Sequence, residues 1–276
     1  MRLCWDGAEH AGRAVELGDA DPATVAAALR EGSQIACPTP SAAHEHVGVI
    51  RPETSVSLRA ALAAAARTRG ASAPEDDEIA ALEAKRGEIE AEQVDLKSAR
   101  ERLAAAGTTE QELRERMARL GGKAEARREL DADDDGVEAD LRETAAALSE
   151  AETERIAAEQ ALEAARERAR AERDKRERRR RLSDRIENRR RKARERLATA
   201  WYDDFCDALG RVPTPEPVSA GESPAAYESD GASAALAVAA LADLRAPVVA
   251  ACGRFESARA AHETLNVPVI RVQNSS

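Results

Sequence analysis

The sequence predicts an α+β protein, predominantly helical, in which a small α/β head assembled from both termini is interrupted by a long antiparallel coiled-coil hairpin. Three observations predict it. A leucine or isoleucine recurs every seven residues through Leu82, Ile89, Leu96 and Leu103, the period of a coiled-coil stripe. A second stretch repeats that spacing at Leu141, Leu148 and Leu162, with Arg155 interrupting, and the breakers Gly121-Gly122 and Asp131 to Gly136 lie between the two. The flanks, residues 1–73 and 229–276, alternate short apolar strands with helices, and neither holds enough apolar residues to make a good domain alone.

In the N-terminal half of the head, residues 1–73, Arg2 to Trp5 reads as a strand, Asp6-Gly7 as a turn, and Arg13 to Leu17 as a second strand pairing with the first. Asp21-Pro22 is an N-cap followed by proline at the first helical position, opening a helix to about Arg30 that Gly32 ends. Ser33 to Cys37 and Val47 to Ile50 are strand candidates separated by Pro38 and Pro40, and a helix from Ser55 to Arg69 carries Leu58 and Leu62. Coiled-coil arm one, residues 74–120, has Arg86, Gln93 and Arg100 at the alternate seam positions, which predicts pairing of modest strength. A kink is expected at Gly107, with the helix restarting at the capping-box spacing of Thr109 to Glu112.

The hairpin tip is placed at residues 121–136 and arm two at 137–209, where Ala151, Ala158 and Ala165 allow close backbone approach. At 1.5 Å per residue arm two would span roughly 110 Å if straight, longer than arm one can match. Near its end Leu197, Trp201, Phe205 and Leu209 recur every four residues. Leu197, Trp201, Tyr202 and Phe205 are read as the anchor between rod and head, in preference to a base-stacking platform. A Pro-rich linker, residues 210–228, follows. The C-terminal half of the head, residues 229–276, reads as a helix to Leu244 and then a βαβ unit: strand Pro247 to Cys252, helix Glu256 to Leu265, strand Val267 to Val272.

Composition agrees with long helices plus one small globular unit. Of 276 residues 34% are charged and 2% aromatic, which argues against a large compact core along the whole length. Acidic residues number 52 against 42 basic, only five of them lysine, a balance resembling proteins of a salt-rich cytoplasm. No run of 18 apolar residues suits a bilayer span, and Met1 to His10 lacks the features of a signal peptide, so a cytoplasmic protein without membrane contact is expected. Cys4, Cys37, Cys206 and Cys252 form no CxxC pair and are expected to be reduced thiols.

Charge supports the hairpin. With a tip at residue ~128, residues 166–181, ten basic and four acidic, lie beside residues 75–90, two basic and seven acidic. That pairing neutralises the first half of a run, residues 166–196, carrying 17 Lys or Arg against seven acidic residues. It leaves Arg185, Arg189, Arg190, Arg191, Lys192, Arg194 and Arg196, against Asp184, Glu187 and Glu195, as the candidate nucleic-acid-binding set, since arginines pair with phosphates without reading bases. The competing reading is a solvated helix with internal pairs such as Glu187 to Arg191.

At the tip, Asp131, Asp133 and Asp135 followed by Gly136 match the first half of an EF-hand calcium loop, but Arg142 occupies the position of its bidentate glutamate. An acidic hydrated turn is the competing reading. His44-Glu45-His46, with Cys37 seven residues earlier, could present two imidazoles from a strand, though zinc sites use four ligands in tighter pairs.

A split α/β head with an inserted antiparallel coiled-coil hairpin resembles the layout of the SMC and Rad50 family of chromosome-associated ATPases. The resemblance covers the whole chain as layout. The family's GxxxxGK[ST] loop does not occur, its Asp-Glu position after an apolar strand reads Cys252-Gly253, and its LSGG position reads Glu228-Ser229-Asp230-Gly231-Ala232-Ser233. The tip has no cysteines for a zinc hook. The resemblance therefore implies a degenerate head without ATP hydrolysis. The expected function is a non-enzymatic coiled-coil scaffold or interaction protein, chromosome-associated, with a protein partner or self-association, no cofactor and no small-molecule substrate. The alternatives are a nucleic-acid-binding module contacting DNA through the basic part of arm two, and a degenerate nucleotide-binding head.

Overall fold

The computed structural model describes residues 1–32, 34–130, 135–228 and 230–273, with the backbone alone at Asp135. The fold is α+β and predominantly helical. Two compact units divide it: Met1–Leu82 together with the chain from Arg185 onward, and Glu83–Asp184.

In the first unit β1 (Arg2–Trp5) turns at Asp6-Gly7 into β2 (Ala8–Ala11), and both turn residues have positive φ, 48° and 79°, as a two-residue hairpin turn requires. β3 (Ala14–Leu17) does not pair with β1 as the sequence suggested. The hairpin partner is β2, and the other neighbour of β1 is β4 (Ile35–Ala36). β3 instead enters a second sheet, of order β3-β7-β6-β5, with β5 (Val49–Ile50), β6 (Val248–Ala250) and β7 (Val269–Val272). Every neighbouring pair in it is parallel, so strands from both ends of the chain build one sheet.

That sheet is covered on both faces, which explains its nearly continuous apolar strands. Val15, Leu17, Val249, Ala251, Ile270 and Val272 share one cluster with Val25 and Leu29 of α1 (Pro22–Glu31). Ile50, Val248, Ala250 and Val269 share the other with α3 (Leu58–Thr68), α7 (Tyr202–Leu209), α8 (Gly231–Leu241) and α9 (Ala258–Leu265). α8 is apolar all round and buried along almost its whole length, as a core helix must be. α1 starts at the Asp21 cap and ends at Gly32 in the left-handed region, both as the sequence predicts. Residues 44–47, expected in a strand, form the single turn of α2 (His44–Val47), because Ser41 and Ala43 supply the carbonyls for its first bonds.

Arm one is interrupted at a different place from the one expected. α4 (Asp76–Gly87) stops at a glycine, residues 88–95 are not helical, and Asp95 caps α5 (Leu96–Glu129) by accepting from the Lys97 and Ser98 N–H groups. α5 runs unbroken through Gly107 and Gly121-Gly122. A glycine inside a helix costs only about 1 kcal/mol relative to alanine, and the seam continues on both sides of each. That seam is Leu96, Ala99, Leu103, Ala106, Glu110, Leu113, Met117, Leu120 and Ala124, alternately three and four residues apart and shielded throughout. The alternates beyond the break therefore fall three residues after Leu96 and Leu103, at Ala99 and Ala106. Gln93 and Arg100, expected in the seam four residues after, are exposed.

The second unit contains α5 and the first three-quarters of α6 (Asp135–Ala200), which lie antiparallel. The matching seam of α6 is Leu141, Thr144, Leu148, Ala151, Arg155, Ala158, Leu162 and Ala165. Its one charged step is compensated across the helices: buried Glu110 accepts from Arg155 at 2.6 Å and from Arg114 at 2.5 Å. Farther along, the Glu92 N–H donates to Glu172 at 2.7 Å. These pairs are centred near residue 132, about four residues beyond the tip that the charge count assumed.

Candidate functional site

Open parallel sheets bind ligands outside the carboxyl ends of their strands. Here β3 leads into Gly18–Asp21, β5 into Arg51–Thr54, and β6 into Cys252–Ser257. Of the helices that begin here, α1, α8 and α9 have their starts occupied by oxygens of the chain itself, whereas Ser57 before α3 makes no side-chain capping bond. Asp21 accepts from Thr24 Oγ1 at 2.7 Å and from the Thr24 and Ala23 N–H groups at 2.9 and 3.3 Å, and these bonds lower its pKa. Ser257 accepts from the Ala260 N–H at 3.1 Å, and Glu16 takes the Ala258 N–H at 2.8 Å.

At α8, Asp230 accepts from the Ser233 hydroxyl at 2.6 Å and its N–H at 2.8 Å, and pairs with Arg254 at 2.6 Å. Burial acts to raise the Asp230 carboxyl, but the bonds from Ser233 and Arg254 outweigh it and the pKa is lowered. Arg254 is itself largely buried and also donates to Ser233 Oγ at 2.5 Å. Gly231 lies so close to the Thr54 carbonyl that a Cβ would collide with it. A phosphate needs free N–H groups and positive charge at a helix start. Asp21, Asp230 and Glu16 supply negative charge and use up the N–H groups. Burial pushes the Cys252 thiol up, away from the lowered pKa of a reactive thiolate, and pushes Tyr227 up to about 12.

At the opposite edge an open cavity of about 760 Å³ is bordered by Arg30, Ser41, His44, His46 and Pro247. His44 is already committed within it. Its Nδ1 accepts from the Ser41 N–H at 3.0 Å, so the proton resides on Nε2, which donates to the Ala246 carbonyl at 3.1 Å. Both ring nitrogens are thus used in holding the 41–48 loop to the start of β6. Among the described residues no group of three His, Cys, Asp or Glu side chains could hold a metal ion, and His44 and His46 lie on a helical turn rather than a strand.

Of the expected nucleic-acid-binding set, Arg189 pairs with Glu78 at 2.8 Å and Arg185 with the same carboxylate at 3.8 Å. Arg196 donates to Glu75 at 3.1 Å. Arg194 pairs with Glu187, and Arg191 donates to Asn188 at 2.6 Å. Arg190 is also engaged, and Lys192 is exposed. The hydrogen bond from Arg196 lowers the Glu75 pKa, while Glu75 Oε2 is buried without a hydrogen-bond partner. Within the first unit, Glu75 and Glu78 thus lie beside arginines that the sequence reading left free.

The anchor set lies in the first unit, with Leu197, Tyr202 and Phe205 buried. Leu197 packs with Ala63, Ala66 and Ala193, with Trp201 half-buried against them, and Tyr202 and Phe205 lie in the main cluster with rings stacked at 5.7 Å. Phe205 is wholly buried, which excludes it from stacking on bases. Residues 211–228, expected as a linker, are fastened down: Tyr202 donates to the Ala220 carbonyl, Arg254 to the Pro213 carbonyl at 3.4 Å, and Tyr227 packs edge-on against Phe205. Asp131 and Asp133 lie outside the described residues, as does the side chain of Asp135. No helix among the described residues is long and apolar enough to cross a membrane.

Residues 12–269 match a family of unknown function (DUF7856), and the chain belongs to that family. No curated protein and no solved structure matches it.

Proposed function

We propose that this protein is a non-enzymatic scaffold whose helical hairpin is the part that engages another macromolecule. One observation carries the reading: at the sheet edge where a ligand would be expected, the carboxylates of Asp21, Asp230 and Glu16 take N–H groups at the starts of α1, α8 and α9. The hairpin, by contrast, satisfies its own seam and offers a long charged outer surface. The four cysteines are free of disulfides, which supports the cytoplasm as its compartment. A chromosome-associated role for the scaffold stays within this proposal and rests on the layout resemblance.

All five lysines, Lys85, Lys97, Lys123, Lys175 and Lys192, are exposed and lie on α4, α5 or α6. An amine-reactive cross-linker therefore reports almost entirely on these helices. Cross-linking in intact cells with peptide mapping is expected to join Lys97, Lys123 or Lys175 to one recurring partner or to a second copy of the chain. If those lysines join nothing beyond their own chain, and magnesium-ATP raises the melting temperature of the purified protein by several degrees, the scaffold reading is lost to a nucleotide-binding one.

A further inference from the structure

We propose that Arg173–Arg181, within the second unit, is a contact surface for the phosphate backbone of duplex DNA. This stretch of α6 carries seven basic residues against Asp174 and Glu177, and every residue in it except Glu177 is exposed. Elsewhere on α6 the shielded residues recur every three or four positions. Continuing that spacing past Glu172 places Arg176 and Arg179 in the seam, yet both are exposed. The interruption of arm one at residues 88–95 accounts for this, since the Glu92–Glu172 bond sets the non-helical segment beside this part of α6. A continuous arm one would have covered seam arginines; the break leaves them open to solvent.

Their pairing also differs from that of the other basic residues on the helix. The side chains of Arg173, Arg178 and Arg179 have no partner among the described residues. Arg180 and Arg181 share Glu177 of their own helix and remain 69% and 71% exposed, a pairing that a phosphate can displace at little cost. Lys175 is excluded from the set: the Glu172 hydrogen bond, with the fields of Glu92 and Glu90, already raises its pKa. Guanidinium groups bind phosphate in two-pronged fashion and displace counterions.

Duplex DNA is the partner favoured over a single strand because the second unit contains no Phe, Tyr or Trp on which bases could stack. Duplex RNA presents the same phosphate chemistry in a different groove geometry, and the competition arm of the test separates it from DNA. Nine residues span about 13 Å of helix, enough for about four phosphate contacts.

Fluorescence anisotropy of a labelled 20-base-pair duplex, titrated with the full chain at rising KCl, tests the assignment. The log of affinity is expected to fall against log salt with a slope of about −3 to −4. R176A/R178A/R179A should lower affinity more than tenfold and bring the slope toward −1; alanine suits the helix, so circular dichroism should be unchanged. R185A/R189A, which removes only the pairs to Glu78, should bind like the wild type. Three results would overturn the proposal: no salt-dependent binding at 50 mM KCl, loss of binding in R185A/R189A alone, or competition by polyglutamate or duplex RNA as effective as that by DNA. The scaffold reading fails or survives separately, because its cross-links need no DNA.

Discussion

Two arginine-rich stretches of α6, Arg173–Arg181 and Arg185–Arg196, look interchangeable in the sequence but occupy different surroundings. The second interleaves its charges with a packed face: Ile186, Ala193 and Leu197 are buried, and Arg185, Arg189 and Arg196 reach Glu78 and Glu75. The first has no buried residue and few partners. Net charge along a helix therefore does not locate the charge available to a ligand. What lies beside each stretch decides it: the non-helical residues 88–95 adjoin the first, and Glu75 and Glu78 adjoin the second.

The largest expected effect breaks the packed stretch. Leu197→Ala removes a buried side chain among Ala63, Ala66 and Ala193, and should destabilise the protein by about 2–5 kcal/mol in chemical denaturation. Arg176→Ala, a comparable truncation in the exposed stretch, should change stability by less than about 0.5 kcal/mol. Acid is the next lever. Asp76 is held low chiefly by its hydrogen bonds from Arg67, and Glu75 by that from Arg196, so both carboxylates near the second stretch have lowered pKa values. Groups lowered on folding leave the unfolded chain binding more protons, and stability falls with falling pH. Their contribution is complete above the ordinary values of 3.8 and 4.5 and is lost as pH drops through the folded-state values below those. Melting temperatures from pH 6 to pH 3 should decline for the wild type and less steeply for Asp76→Asn.

Much of the architecture was legible because it depends on patterns that tertiary context does not override. The union of both termini followed from the apolar strands at Val248–Ala250 and Val269–Val272, too few to be stable alone, and α1 begins at the cap Asp21. The register was harder to read. Gly121-Gly122 looked like a turn, yet two glycines cost less than the Leu120 and Ala124 contacts on either side contribute, whereas Gly87 followed by the Asp95 cap marked the actual break. The free arginines were misassigned with it, since the non-helical residues 88–95 change what lies beside each stretch of α6. The caps at the sheet edge carried a local signal at Asp21 and Asp230, but Glu16 reaching the Ala258 N–H joins residues far apart in sequence, and only the fold brings them together.

The smallest effects sharpen the comparison most. Glu78→Ala removes the shared partner of Arg185 and Arg189, and exposed pairs of this kind contribute about 0.2–1 kcal/mol, so a loss near the top of that range is expected in denaturant unfolding. The same change should also release two guanidinium groups on the second stretch. Glu78→Ala is then expected to strengthen DNA binding and to steepen its salt slope by up to about one unit per freed arginine, though Arg185–Arg196 is not the native contact. The gain should persist when Glu78→Ala is combined with R176A/R178A/R179A, whose own loss it partly restores. An unchanged slope in the single variant would mean that Arg185 and Arg189 stay sequestered by packing rather than by the Glu78 carboxylate, and the contrast between the two stretches would rest on shape instead of charge.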